Sequence, residues 1–524
     1  MSLRNISFLI FILFAINGVA FSQNLALSKI DKKDLKRHLT FISSDSLQGR
    51  KFGTDVDGLG ITAEYLKTNI EKTGLKPGAD NYFQEVKIVS TEPGENSFAE
   101  IETAGGKSIF KSASIINLGG SSSNVSLKKE EVILAGFGYQ NTETAYNDLG
   151  DIEIKGKIVI VAQGNPKIYR GGDNFRWNNR LEREKFNSLA KKNPKAIILT
   201  TNPQDKENKT FSQIARWMNR QRYTLKSSKE TEEVPTLICT PELADQFLGR
   251  KGKYKKYLTA ISKKSKPNPV FVEDKKLNIE IAYKIKPVDA KNVIGIVEGS
   301  DPLLKDECVI FVAHYDHLGV AENGDVYNGA DDNGSGTVTL MEVAEAFTSL
   351  EQKPKRSIVF LWVTAEEIGL LGSKYYTENP IFPLEKTVAC INIDMDGRVY
   401  EPRDSVWNKS PKKVKDFDGL FTLTNDIWPE LKEINTNVCK SLGLIPDYSL
   451  PANFIRSSDH YYFHDNGVPV LNYATGYHAD YHKVGDEISK INFEKIKRVA
   501  DLCFLVGLEI ANSDEIKIER IEDK

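Results

Sequence analysis

Six side chains of the types that bind hard or borderline metal ions recur in order along the last two-fifths of the chain. They are His314 in VAHYDHLG, Asp332 in NGADDNGSG, Glu366 and Glu367 in VTAEEIGLLGS, Asp394 in INIDMDG and His482 in DYHKVGDE. Imidazole mixed with carboxylate, without thiolate, suits a catalytic zinc ion that keeps a position open for water. A structural zinc ion prefers a closed, Cys-rich tetrahedron. Adjacent acids after a buried strand repel each other and lose solvation unless cations lie nearby. One of Glu366 and Glu367 as ligand and the other as general base fits metal-assisted hydrolysis. His314 and Asp316 are two apart, so on an extended strand they face the same way. Asp316 is therefore placed to hold the His314 imidazole in one tautomer.

Each segment alone has an ordinary reading. His314 can cap a strand, and NGADDNGSG can be a turn that starts a helix. The Glu pair can sit in a first helical turn, stabilised by the helix dipole, and Asp394 can end a strand. A calcium loop is disfavoured, because the D-x-D-x-D-G run with a later bidentate Glu is missing. The set favours the metal reading. Six of the seven His fall between His314 and His482, which random scatter would rarely produce. His478 and His482 are four apart, as in a helical metal pair, but Gly476 and Gly485 argue for a loop. One of the two is expected to be a ligand and the other to hold its neighbours or face substrate.

These side chains need elements to carry them. NVIGIVEG, CVIFVAHYDH, SIVFLWVTAEE, TVACINIDMD and PVLNYATG are short runs rich in β-branched residues, mostly ending at a carboxylate or His. Apolar on both faces, they read as parallel strands buried on both sides. SGTVTLMEVAEAFTSL has helical periodicity, as do the positions of Leu35, Leu39 and Ile42 and of Ile61, Leu66 and Ile70. The fold class is α/β, with a central mixed, mostly parallel sheet flanked by helices. Active sites of such sheets sit at the carboxyl ends of the strands. Between roughly 111 and 275 the pattern changes to short strands with polar turns, read as an inserted small β-rich domain. Residues 23–110 and 276–524 then form the catalytic domain. The Lys-, Arg- and Asn-rich stretch from about 166 to 230 reads as a solvated face.

With 524 residues, 40% hydrophobic and 27% charged, the chain can bury more than one core. A net charge of −2 without a basic stripe argues against a nucleic-acid partner. Residues 1–22 read as a secretory signal: Arg4, then the apolar run from Ile6 to Ile16, then Ala20 and Ser22 at a cleavage site. That run is short for a bilayer span, so the mature protein is expected to be secreted or periplasmic, without stable membrane insertion. The five Cys are far apart and lie in apolar runs, as buried free thiols do.

The ordered set HYDH, GADDNGSG, AEEIGLLGS, NIDMDG and YHKVGDE resembles the co-catalytic di-zinc aminopeptidases, the family that includes glutamate carboxypeptidase, glutaminyl cyclases and the transferrin receptor ectodomain. LQGRKFGT, GLKPG and SSDHYYFHDNGVP match it as well, and the middle segment resembles a protease-associated domain. The resemblance implies two zinc ions per chain bridged by Asp332. His314 and Asp394 would complete one, and Glu367 and His482 the other. Glu366 is implied as general base, Asp316 as the residue that orients His314, and Tyr481 as an oxyanion donor. The Asp332–Asn333 peptide bond is expected to be cis. A secreted metallo-aminopeptidase acting on peptides follows, with a homodimer left open. The alternatives are a glutaminyl cyclase, an inactive binding scaffold, and a glutamate-type carboxypeptidase using Arg456 in FIRSSDH as its cationic pocket.

Overall fold

Every residue of Cys308–His314 is buried, and its side chains alternate between two separate cores. Val309, Phe311 and Ala313 join one cluster, and Cys308, Ile310 and Val312 the other. This is the pattern of a strand covered on both faces. A computed structural model describes residues 22–118, 124–141, 143, 145–166, 179–203, 209–226, 234–264, 266–399, 417–514 and 516. The chain forms two units, one of residues up to Ile88 and from Val288 onward, the other from Val89 to Pro287. The segment read as a secretory signal lies, apart from Ser22, outside the described residues. Among the described residues no helix is long and apolar enough to cross a membrane. All five Cys are buried and free.

The first unit is built on a nine-stranded sheet. In chain order its strands are β1 (Lys76–Pro77), β2 (Phe83–Glu85), β3 (Lys291–Val297), β4 (Cys308–His314), β5 (Ser357–Val363), β6 (Thr387–Ile393), β7 (Gly419–Thr424), β8 (Ile445–Asp447) and β9 (Val470–Ala474). They lie in the order β1-β3-β5-β4-β6-β9-β7-β8, with β2 also paired to β3. The central pairs β5/β4, β4/β6 and β6/β9 are parallel. The β3/β5 and β9/β7 pairs on either side are antiparallel. The expected mixed, mostly parallel sheet is thus the observed one.

Helices cover both faces. On one, α1 (Lys32–Ile42), α2 (Gly58–Lys72), α3 (Gly336–Ser349), α5 (Pro429–Ser441) and α7 (Phe493–Asn512) enclose Phe311, Phe360 and Trp362. On the other, α4 (Leu371–Glu378) and α6 (His460–Asp465) supply Tyr376 and Phe463. Burial of each large apolar side chain of this kind stabilises the fold by roughly 1.5–3 kcal/mol. Side chains cap the N-terminal ends of three of these seven helices, α1, α2 and α7. Asp31 accepts from the Lys33 N–H ahead of α1, and Asn492 accepts from Glu494 and Lys495 ahead of α7.

The second unit is longer than the insert expected at 111–275. Phe98–Thr103 pairs with Val270–Ile281, and Ser108–Ser112 pairs with Phe98–Thr103. Both early strands therefore belong to this unit's eight-stranded sheet. The unit is also less purely β than expected. Val125–Leu134, Ile158–Ala162, Ala196–Thr200 and Thr236–Cys239 run parallel, and parallel neighbours need crossovers. Helices Asn179–Ala190 and Lys209–Met218, within the stretch read as a solvated face, belong to those crossovers.

A buried cation joins the start of the first unit to its sheet. Arg50, in LQGRKFGT, is fully buried. Its guanidinium donates to the carbonyls of Ile42, Tyr315, Asn328 and Gly329 at 2.5–3.0 Å. The last three carbonyls belong to the loops after β4 and before α3. Replacing Arg50 with Met would orphan four carbonyls and remove a buried positive charge, so we expect a loss of roughly 3–5 kcal/mol of unfolding free energy. Urea titration measures this, and an unchanged midpoint would show that the carbonyls find other donors.

Candidate metal centre

The candidate ligands gather at the carboxyl ends of the adjacent parallel strands β5, β4, β6 and β9. His314 is the last residue of β4. Glu366 and Glu367 lie in the turn between β5 and α4, which Ala365 enters at φ 61°. Asp394 follows β6, its N–H donating to the Tyr473 carbonyl of β9 at 3.1 Å. His478 and His482 lie in the loop after β9, as their flanking glycines indicated. Asp332 comes from the turn before α3, whose placement is dictated by hydrogen bonds. Asp486 accepts the N–H groups of Asp331 and Asp332, each at 3.0 Å. Asn333 donates to the Ile393 carbonyl at 2.9 Å. Gly336 is required at the start of α3, since a Cβ there would lie 2.4 Å from that same carbonyl. The Asp332–Asn333 peptide bond is cis.

Two groups of donors result, sharing Asp332. In the first, His314 Nε2 lies 3.5 Å from Asp332 Oδ1 and 3.5 Å from Asp394 Oδ1. In the second, His482 Nε2 lies 3.2 Å from Asp332 Oδ2 and 3.2 Å from Glu367 Oε2, and His317 also clusters with Asp332 and Glu367 closely enough to reach a shared ion. Glu366 Oε2 is 4.0 Å from His314 Nε2. Asp394 Oδ1 and Asp332 Oδ2 are buried and accept no hydrogen bond. Bare carboxylate oxygens facing imidazole nitrogens at these spacings are what a shared cation would satisfy. The donor set of His and carboxylate fits zinc.

The electrostatics agree. Burial, and then the charge of Glu367, raise the Asp332 carboxyl. Burial raises Glu366 well above the carboxylate range, with Glu367 adding to it against the opposing pull of His314. For His314, burial alone would lower the imidazole, but Glu366 and Asp394 outweigh it and it stands well above its ordinary value. Burial likewise opposes, and Asp332 and Glu367 overcome, at His482, which is pushed up to about 10. Without metal both imidazoles are thus shifted towards the protonated form, at the places where cations would sit.

Asp316 differs from expectation. Its carboxylate is 3.7 Å from His314 Nδ1, and it is the Asp316 carbonyl that approaches that nitrogen, at 3.2 Å. The carboxylate instead accepts the N–H groups of Glu366 and Glu367 at 3.0 and 3.2 Å, so it fixes the turn that carries the two acids. Tyr481 stacks on His482 with ring centroids 3.8 Å apart. His478 is buried behind the centre, 3.3 Å from Asp331 Oδ2. Three contributors were not singled out from the sequence: Arg50, Asp486 and His317, whose Nδ1 lies 2.8 Å from Glu367 Oε1. All three stand inside motifs that were noted, and an Arg within a Gly-rich turn or an acid four residues past a ligand His is the available signal.

Residues 292–506 match Peptidase family M28. The chain is 24% identical over 389 residues to Aminopeptidase YwaD of Bacillus subtilis (strain 168), covering 73% of this chain and 67% of that protein. It is 34% identical over 134 residues to Aminopeptidase NAALADL1 of Mus musculus, covering 25% of this chain but only 17% of that protein. Among solved structures, an aminopeptidase from Aneurinibacillus sp. strain AM-1 aligns over 95% of this chain and 98% of its own at 18% identity, with a TM-score of 0.49.

Metal ligation requires neutral imidazole, and both His314 and His482 are shifted upward. Zinc binding at neutral pH is therefore expected to release protons, from these imidazoles and from the Glu366 carboxyl that burial also raises. Affinity should rise with pH until the imidazoles of the metal-free protein lose their protons. Calorimetric titration in buffers of different ionisation enthalpy measures the release. A buffer-independent heat would contradict it.

Proposed function

We propose, on the match of residues 292–506 to Peptidase family M28, that the chain is a secreted zinc-dependent aminopeptidase that removes large apolar residues from the N-termini of peptides. The observation that carries this reading is a cavity of about 160 Å³ bordered by Asp394. Met395, Phe421, Leu450, Phe454 and Tyr477 are among the residues lining it, and among the described residues no Lys or Arg does. An apolar cavity of about 150 Å³ accommodates benzene, so a Leu or Phe side chain suits this one. A lining without Lys or Arg offers no cation to hold a free carboxylate. Arg456, the residue a carboxypeptidase reading would need, is exposed and lies 5.4 Å from the ring of Tyr461.

His314, Asp332 and Asp394 would hold one zinc ion and Asp332, Glu367 and His482 a second. When bound, they supply a Lewis acid for the scissile carbonyl and lower the pKa of an attacking water towards neutrality. Glu366 takes the proton of that water and returns it to the leaving amine. Burial and Glu367 raise the Glu366 carboxyl in the metal-free chain, and nearby cations would oppose that shift and favour its service as a base. Asp316 holds Glu366 in place through its N–H. Tyr481 would donate its hydroxyl to the oxyanion of the tetrahedral intermediate. Residues 1–22 would direct export, and the unit from Val89 to Pro287 would be a protease-associated domain.

Incubating a mixed peptide pool with the zinc-loaded protein, beside a chelator-treated control, tests the reading by mass spectrometry. We expect chelator-sensitive loss of N-terminal Leu, Phe and Met ahead of charged residues. Trimming from the C-terminus would refute it. Glu366→Gln is expected to lower kcat by roughly 10²–10⁴-fold with zinc content unchanged. A wild-type rate in that variant would remove Glu366 from the role of base.

A further inference from the structure

We propose that His317 is a positioning residue: its Nδ1–H anchors one oxygen of Glu367 so that the other faces the second metal position. The inference rests on the reading above, in which Asp332, Glu367 and His482 hold that ion. His317 is 1% exposed. Its Nδ1 lies 2.8 Å from Glu367 Oε1 and 4.0 Å from Asp332 Oδ2, so the hydrogen bond goes to Glu367 alone. The other oxygen of that carboxylate, Oε2, is the one 3.2 Å from His482 Nε2. The two ends of one carboxylate are thus divided between an anchor and a metal position.

The ring has little freedom to do otherwise. The His317 N–H donates to the Arg50 carbonyl at 3.1 Å. A Cβ on Gly329 would lie 2.4 Å from His317 Cδ2 and 2.5 Å from Cγ. Gly329 itself has φ +54°, so the backbone passes over the ring in a conformation that glycine adopts without strain. The buried Nε2 has no partner. A neutral imidazole carries one proton, and here only Nδ1 has an acceptor to receive it. The tautomer is set by Glu367.

The role follows from the freedom of a Glu side chain. Unanchored, Glu367 can rotate its carboxylate, bind through either oxygen, or pair with the partly exposed His482. Holding Oε1 removes those states before metal arrives, which lowers the ordering cost of binding. The short segment HYDH then serves both positions: His314 as a ligand in one, and His317, three residues on, behind a ligand of the other.

The test is zinc titration against a chromophoric chelator, with wild type, His317→Ala and His317→Asn. Asn places an amide N–H where Nδ1–H stands but offers no imidazole to a metal. Two zinc ions should bind wild type. In His317→Ala one step should weaken by roughly 10–100-fold, the cost usual for losing a partner behind a ligand, while the other step is unchanged. His317→Asn should bind close to wild type. Equal weakening in Ala and Asn would make His317 a ligand itself and overturn the positioning role. Unweakened binding in both would overturn it too. Wild type taking up fewer than two ions would instead refute the two-ion reading beneath it, and the role with it.

Discussion

The structure is organised around negative charge confined at the ends of parallel strands. Asp316, Asp331, Asp332 and Asp486 are buried, and Glu366, Glu367 and Asp394 crowd beside them. Among the described residues, Arg50, Arg398 and the imidazoles oppose them. Buried charge without a partner is costly, and the fold resolves this in two ways. Some carboxylates are spent on backbone. Asp316 holds the turn of the paired acids, Asp486 holds the loop of Asp332, and Asp331 holds the Gly397 N–H at 2.7 Å. Others, Asp332 Oδ2 and Asp394 Oδ1, accept no hydrogen bond. The first kind builds the walls of the centre, and the second kind leaves it open to a cation.

That division explains what could be read from sequence. The types and order of the candidate ligands were legible, because each sits where an apolar run stops, and parallel strands bring such stops together. His314, Glu367, Asp394 and His482 are far apart in the chain, yet each lies in a segment joined directly to the carboxyl end of one of four adjacent strands. What the sequence does not display is which acid faces metal and which faces backbone. H-x-D spacing puts Asp316 on the side of His314, but two N–H groups from another strand's turn compete for its carboxylate and win. The boundary of the second unit was hidden for a similar reason. Phe98–Thr103 resembles any edge strand until its pairing with Val270–Ile281, far along the chain, is known.

Arg50 shows how a residue far from the candidate ligands in sequence ties down the loops that carry them. Its four carbonyl acceptors come from α1 and from the segment between the candidate ligands His314 and Asp332. Burial pushes its guanidinium down to about 10, against the pull of Asp316 and Asp332, and it stays a fixed cation at neutral pH. It therefore serves as a structural counter-ion that, unlike a metal ion, cannot dissociate.

The division of the first unit in the sequence sets an order of events during synthesis. Helices α1 and α2 and strands β1 and β2 leave the ribosome before the whole of the second unit, but their partners follow it. Strand β3 pairs with β1 and β2, and Glu342 of α3 accepts the Asp31 N–H ahead of α1. Leu35, Leu39 and Ile42 thus stay uncovered while the intervening residues are translated. The second unit, continuous in sequence, can complete its own sheet in that interval, as domains generally do. The centre is among the later parts to assemble, because His482 closes it from near the end of the chain. A nascent chain lacking its last segments would carry most of the acidic cluster without its final imidazole.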